Sequence, residues 1–170
     1  MSVAEGSRER VEERLVALEE AYSGFPVNQT TLAVPRGAYE RASEKCERGI
    51  VDAYVQLYND DEEVLLVEGD DDWVVPHGEP RASERVVPGT ERIVQERTGV
   101  DCEVTDVRRV TILGIRDEDD PDRPPVYRLI AVFTAEETSE ADTLDEEPFV
   151  STTEDIRWES TLPDSAVPSH

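Results

Sequence analysis

The feature that most constrains this chain is its charge. Acidic residues number 41 against 17 basic ones, so the 170 residues carry a formal net charge of −24. Like charges confined to one small globule repel one another and destabilise the compact state. At roughly 1 M salt the Debye length falls to about 3 Å, and most of this repulsion is screened. The composition therefore predicts an acidic, halophilic protein suited to a cytoplasm rich in salt.

Apolar runs in the centre of the chain are long enough to form a core. Residues 64–67 (VLLV) and 129–133 (LIAVF) are the clearest examples. The alternative is an acidic disordered chain, since low hydrophobicity and high charge also produce disorder, and these runs argue against it. A length of 170 residues suits one domain with a core and is short for two.

Charge and hydropathy also limit the partners and the location that we expect. The sequence shows neither a signal peptide nor an apolar run of 18 residues, which predicts a soluble, cytoplasmic protein without membrane contact. Nucleic acid is disfavoured as a partner because its phosphates would repel so acidic a surface. Two cysteines, Cys46 and Cys102, are too few for a disulfide framework, and reduced thiols are expected, with a disulfide left open. The sequence does not indicate the oligomeric state.

The order of the predicted elements indicates an α/β domain. An amphipathic helix over residues 8–22 and a second helix over 37–47 make residues 1–49 an N-terminal helical extension. From residue 50 the chain is rich in β-formers, with a hairpin first and a helix later. Strands are predicted at about 50–58, 63–68, 103–115, 126–134 and 156–158, and the helix at 90–97.

A window from residue 73 to residue 100 carries the chemistry. Gly78 is followed after five residues by Glu84 and after seven more by Arg92, and then come Val94, Glu96, Gly99 and Val100. This pattern resembles the Nudix box, G-x5-E-x7-R-E-U-x-E-E-x-G-U, in which U is aliphatic. Seven of the nine specified positions agree, whereas Ile93 and Arg97 stand where the family has glutamate. Similar flanking strands extend the resemblance over residues 50–163, before a flexible tail at 164–170.

The resemblance implies a Nudix-like α/β/α sandwich with a mixed sheet. It also implies a MutT-like hydrolase that uses magnesium to cleave a nucleoside diphosphate linked to another group. On this basis Glu96 and Glu84 are the expected metal ligands and catalytic carboxylates, and Arg92 orients a neighbouring glutamate. Substrate phosphates are expected to contact Arg97, Arg85 and Arg81.

The two departures from the pattern weaken the expected metal site. Mg²⁺ takes oxygen ligands, and helix positions 93, 96 and 97 share a face on which the family has three glutamates. Here that face carries Ile93, Glu96 and Arg97, so magnesium binding is predicted to be weak or absent. Two alternatives follow: a catalytically inactive module that binds a nucleotide or phosphate, and a structural domain with a vestigial box.

The window 73–100 is electrically neutral, unlike the rest of the chain. It contains four glutamates and four arginines and neither aspartate nor lysine. An arginine-bearing neutral patch suits phosphate binding on an otherwise repellent surface. The alternative is that these residues only pair with one another, because surface ion pairs are common and individually weak.

The net charge predicts that stability rises with salt. Thermal melts in a KCl series from about 0.1 M to 2 M should show an increasing melting temperature, because the screening length shortens over this range. A protein of similar size and near-zero net charge, melted in the same KCl series, serves as the control and should show a smaller rise, because it has little self-repulsion to screen. A melting temperature that stays flat or falls with KCl would contradict the halophilic interpretation.

Overall fold

The computed structural model describes residues 3–69, 72–138 and 156–163, which form three helices and eight strands. The helices are α1 (Val3–Ala21), α2 (Arg36–Arg48) and α3 (Val86–Thr98). The strands are β1 (Val27–Val34), β2 (Val51–Tyr58), β3 (Val64–Glu68), β4 (Trp73–Val74), β5 (His77–Gly78), β6 (Cys102–Asp117), β7 (Val126–Glu137) and β8 (Ile156–Glu159).

All described strands belong to one mixed, open sheet. Its order is β1-β6-β7-β2-β3-β4, with β5 paired to β2 and β8 paired to β3. Two neighbouring pairs, β1 with β6 and β2 with β7, are parallel, whereas β6 with β7 and β2 with β3 are antiparallel. Helices pack on both sides of the sheet. The predicted α/β/α sandwich with a mixed sheet is therefore confirmed.

The core is centred on strands β2 and β7. Residues 129–133 of β7 are all at most 7% exposed, whichever face of the sheet they point to. A strand covered on both faces needs an unbroken apolar run rather than alternation, which explains the LIAVF stretch. The two-fold alternation of β2 is different, because its odd-numbered residues are buried while Asp52 and Tyr54 remain partly exposed. These two side chains face the candidate site described below.

The N-terminal residues contribute more to the sheet than their sequence suggested. Helix α1 starts at Val3, earlier than predicted, and its Val11 and Leu18 join the core with Val51 and Leu129. β1 runs alongside β6 in register from Val27 to Val34. The domain boundary at residue 49 stays a prediction, but these elements share the sheet and the core with those that follow.

Three smaller expectations concern the thiols, the membrane and the tail. Cys46 is buried, Cys102 is half-buried, and both are free. Within the described ranges, no helix is long and apolar enough to cross a bilayer. The predicted tail at 164–170 lies outside the described residues.

Candidate functional site

The Nudix-like box folds as a short strand, a loop and helix α3. β5 pairs with β2 through Gly78 opposite Ala53, and residues 79–85 form the loop. Helix α3 begins at Val86, four residues before the predicted start. Pro88 did not prevent this, because the first turn of a helix has no partners for its N–H groups and tolerates proline. Gly99 ends the helix in the left-handed conformation (φ 76°), as expected of a C-terminal glycine.

A bidentate ion pair between Arg92 and Glu84 links helix α3 to the loop. Nε and Nη2 of Arg92 donate to the two carboxylate oxygens of Glu84, at 2.6 and 2.7 Å. The backbone N–H of Arg81 donates to the same carboxylate at 2.8 Å. These hydrogen bonds from Arg92 and Arg81 outweigh desolvation and lower the pKa of Glu84 from 4.5 to about 2. Both oxygens of Glu84 are therefore committed to shaping the loop, and its role as a metal ligand stays a prediction.

Glycine at position 78 is required by close packing. A Cβ placed there would lie 2.6 Å from Cγ2 of Ile93, well inside contact distance. Ile93 is only 6% exposed, so its side chain fills the space between α3 and β5. At the position where the family has a glutamate, this chain therefore has an apolar side chain that packs between α3 and β5.

The remaining two positions of the helical face are open to solvent. Glu96 is 55% exposed on its side chain and accepts a hydrogen bond from Nη1 of Arg92 at 2.8 Å. Arg97 is exposed and lines the space in front of the helix. Arg92 therefore donates hydrogen bonds to both Glu84 and Glu96, and the orienting role that the resemblance implies for it stays a prediction.

A cleft of about 480 Å³ opens beside the box. It is lined by Lys45, Asp52, Tyr54, His77, Gly78, Glu79 and Arg97. A smaller space of about 230 Å³ adjoins it and shares Gly78, Glu79 and Arg97. The smaller space also contacts Arg81, Arg92, Ile93 and Glu96. The two spaces bring most of the predicted site residues together.

Lys45 is one of the cleft residues, with Asp52 and Tyr54, that the sequence did not single out. It comes from α2, in the segment in which no chemistry was visible. Its Nζ lies 3.1 Å from Asp52 and 3.3 Å from Glu79. It is the only lysine among 17 basic residues, and this rarity is the one signal by which the sequence marked it.

Asp52 is held in the cleft by a buried arginine. Nε and Nη2 of Arg128, a residue with 3% side-chain exposure, donate to its two oxygens at 2.8 and 3.0 Å. Burial by itself raises the pKa of Asp52, but Arg128 and Lys45 outweigh it and hold the pKa below the ordinary value. The carboxylate is thus charged at neutral pH and anchors Lys45.

Arg85 lies apart from the other predicted phosphate-binding residues. It precedes α3 and lines a groove of about 390 Å³ that is formed with α1. In the same region Arg14 of α1 donates to the carbonyl oxygens of Glu84 at 2.6 Å and Ala82 at 2.9 Å. Helix α1 therefore supports the box loop from the side opposite the cleft, and a substrate contact by Arg85 stays a prediction.

The described residues do not contain the metal cluster that the resemblance implies. Within these ranges no group of three or more His, Cys, Asp or Glu side chains is placed to hold a metal ion. Glu91, another carboxylate of α3, accepts a hydrogen bond from the backbone of Val104 at 2.9 Å instead. The sequence has a further acidic stretch at 136–147, of which residues 139–147 lie outside the described residues.

The Gly78–Ile93 contact predicts a coupled pair of substitutions. Gly78→Ala should destabilise the protein by about 1–3 kcal/mol through overpacking. Ile93→Ala alone should cost about 2–5 kcal/mol. The double variant should be destabilised by about 1–2 kcal/mol less than the sum of the two single costs, because removal of the Ile93 side chain also removes the clash with the new Cβ. Gly37→Ala, which meets only the flexible end of Arg41 at 3.5 Å, is the matched control for denaturant unfolding. Additive costs would contradict the contact.

The Glu84–Arg92 pair predicts a specific acid dependence of stability. Because the folded pKa of Glu84 lies below 4.5, its contribution is present above about pH 4.5 and is lost as the pH falls toward about 2. Glu84→Gln keeps the shape of the side chain and removes its charge. The difference in unfolding free energy between the wild type and this variant should be constant at pH 5–7 and shrink between pH 4.5 and pH 2, a range bounded by the two pKa values. A difference independent of pH would mean that the ion pair does not stabilise the fold.

Several solved structures are similar to this chain. A UDP-X diphosphatase is 16% identical, with a TM-score of 0.48 over 76% of this chain and 64% of that one. The chain thus spans less than two thirds of that protein's length. A Nudix hydrolase from Nitrosomonas europaea is 18% identical, with a TM-score of 0.46 over 66% of this chain and 73% of that one. A MutT protein from Methanosarcina mazei Go1 is 17% identical, with a TM-score of 0.42, and 68% and 86% are covered. No protein-family model and no curated protein matches the chain.

Proposed function

We propose that this protein is a Nudix-type hydrolase of a nucleoside diphosphate linked to another group, with a weakened metal site. The observation that supports this most is the arrangement of the box. Glu84 and Arg92 fix the loop against α3, so that Arg81 of the loop lines the same small space as Glu96 and Arg97 of the helix. A small-molecule nucleotide is the expected ligand, and its diphosphate lies against these residues.

The cations of the cleft supply the phosphate contacts. Arg97 and Lys45 line the same space, and Arg81 lines the adjoining one. Guanidinium and ammonium groups bind phosphate oxygens through charge-assisted hydrogen bonds. Lys45 is already fixed by Asp52 and Glu79, so it loses little conformational freedom when a ligand binds. On a chain of net charge −24, a cleft in which Lys45 and Arg97 balance Asp52 and Glu79 repels an anion less than the rest of the surface does.

The metal that the family uses fits these residues only poorly. Mg²⁺ requires oxygen ligands, and one of the three positions on the helical face is Ile93, which is buried against Gly78. Another is the cation Arg97. Glu96 and Glu79 remain as the carboxylates that line the smaller space. They do not make the family's cluster, so we assign no reaction step to a metal and expect Mg²⁺ to bind the free protein weakly.

The chain's own groups suffice for binding and for proton transfer. Arg97 and Arg81 hold the diphosphate and compensate the charge that develops on its oxygens as water attacks. Glu96 lines the same space and is held by Arg92 through one of its oxygens. Its exposed carboxylate accepts a proton from the water that attacks one phosphorus, while the bridging P–O bond breaks and the bridging oxygen leaves with the other phosphate group. Arg92 positions this base and does not contact the substrate.

The burial of Ile93 supports a second candidate function. An aliphatic group in the first ligand position is compatible with a module that binds a nucleotide or phosphate without hydrolysing it. In this case Arg97 and Lys45 hold the phosphate and no carboxylate activates water. The two functions share the cleft and differ in whether the bound diphosphate is cleaved.

Two arginines within the box, Arg97 and Arg85, provide a matched test. Arg97→Gln should weaken binding of a nucleoside diphosphate sugar such as ADP-ribose about tenfold or more, because a lost charge-assisted contact costs about 1.4 kcal/mol or more. Arg85→Gln removes the same charge from the groove beside α1 and should change binding less than about twofold, a difference below 0.5 kcal/mol. Calorimetry at molar KCl, with and without Mg²⁺, measures both variants.

Hydrolysis is measured on the same samples by product analysis. Binding with cleavage by the wild type supports the hydrolase, and binding without cleavage supports the second candidate. Loss of binding in Arg85→Gln but not in Arg97→Gln would place the ligand in the groove beside α1 and contradict the proposed site. Absence of binding by the wild type across a panel of nucleoside diphosphate compounds would contradict both functions.

A further inference from the structure

The longest uncharged segment of this chain coincides with the edge strand of the sheet. Residues 21–35 contain no acidic or basic side chain, although charged residues make up 34% of the sequence. No other uncharged run in the chain is as long. The segment contains β1, which ends the strand order and pairs, within the described ranges, with β6 alone. Neither the cleft nor the box uses this strand.

Strand β1 is exposed along most of its length. Six of its eight residues are exposed, and the other two are half-buried. Val27 at 39% and Leu32 at 41% are two of the large hydrophobic residues that remain exposed. An exposed strand without charges is unusual, because proteins protect sheet edges with charged side chains, bulges or proline. Here Pro26 and Pro35 stand only at its two ends.

The register shows which backbone groups of β1 remain free of β6. The N–H of Val110 donates to Pro26 O at 3.0 Å, and the N–H of Glu118 donates to Val34 O at 2.9 Å. Since backbone direction alternates along a strand, the even-numbered residues between them face β6. The odd-numbered residues direct N–H and C=O groups toward the open edge. These are Val27, Gln29, Thr31 and Ala33.

We propose that β1 is a dimerisation edge, at which a second copy of this chain pairs antiparallel through its own β1. A two-fold axis at Thr30 places Gln29 opposite the second copy's Thr31, and Val27 opposite its Ala33. Each opposed pair then consists of outward-facing residues, which exchange both backbone hydrogen bonds. The sheet continues from one copy into the other, and the unprotected edge is removed.

Charge identifies the second copy as the partner. Two chains of net charge −24 repel each other over most of their surfaces, and this segment is the longest stretch over which they meet without like charges in contact. The pairing is isologous, since the same strand serves both copies and closes the assembly as a dimer. Dimerisation should therefore require salt, which screens the charges around the neutral strand. It does not depend on the proposed enzymatic function.

Substitution at one outward-facing position tests the proposal. Proline is tolerated on an edge strand where the N–H faces solvent, so Gln29→Pro removes an edge donor and leaves the β1–β6 hydrogen bonds intact. Gln29→Ala is the matched control, because it shortens the same side chain and keeps the N–H. We expect light scattering after gel filtration in roughly 2 M KCl, where the screening length is under about 3 Å, to give a dimer for the wild type and Gln29→Ala. The Gln29→Pro variant should be a folded monomer by circular dichroism.

Amide hydrogen exchange on the wild type provides a measurement that needs no variant. The amides of Gln29, Thr31 and Ala33 should exchange slowly at high protein concentration and faster on dilution. The amides of Thr30 and Leu32, which face β6, should be protected at both concentrations. A monomer at all concentrations, or a dimer that persists in Gln29→Pro, would overturn the proposal. Protection of the outward-facing amides in a monomer would do so as well, because it would show that another part of the same chain covers β1.

Discussion

The pairing of Glu84 with Arg92 is the interaction on which the candidate site depends. It joins a loop and a helix that the chain connects only through residues 85–91, and the loop N–H of Arg81 is bound to the same carboxylate. Without it, the loop that carries Arg81 would lose its side-chain tie to α3. Glu96 would keep its place on a helix packed on the core, although its partner Arg92 would lose the hold of Glu84. Both partners are partly exposed, at 20% and 26%, so the pair avoids the full desolvation penalty of a buried ion pair.

Ile93 shows how packing and chemistry compete for one position. A carboxylate at this site would face the cleft, whereas the isoleucine instead packs onto the glycine that opens the box. Isoleucine in place of glutamate at position 93 adds apolar contact between α3 and β5 and leaves less negative charge near the cleft for a cation. Lys45 and Arg97 add positive charge at the same place. The cleft lining thus carries two cations, Lys45 and Arg97, against two carboxylates, Asp52 and Glu79.

The sequence predicted the parts of this structure that depend on local pattern. The spacing of Gly78, Glu84 and Arg92 predicted a loop and helix, and the run at 129–133 predicted a buried strand. Features set by tertiary contacts were not predictable in this way. The Lys45–Asp52 contact joins α2 to β2 across the cleft entrance, and no local pattern encodes it. Similarly, Arg81 and Arg85 are four residues apart, yet the turn into α3 sends them into different grooves.

The unique lysine gives the cleft a chemical identity that the rest of the chain lacks. Apart from a terminal amine, Lys45 carries the single primary amino group of the sequence, and it stands between Asp52 and Glu79. Any reagent or modifying enzyme that acts on lysine side chains therefore acts on this cleft and on no other side chain of the molecule. Acylation of that nitrogen would remove its positive charge and its ion pairs with Asp52 and Glu79, while Asp52 would keep its pair with Arg128. A chemical label attached to this one side-chain amine would therefore report on the proposed ligand site alone.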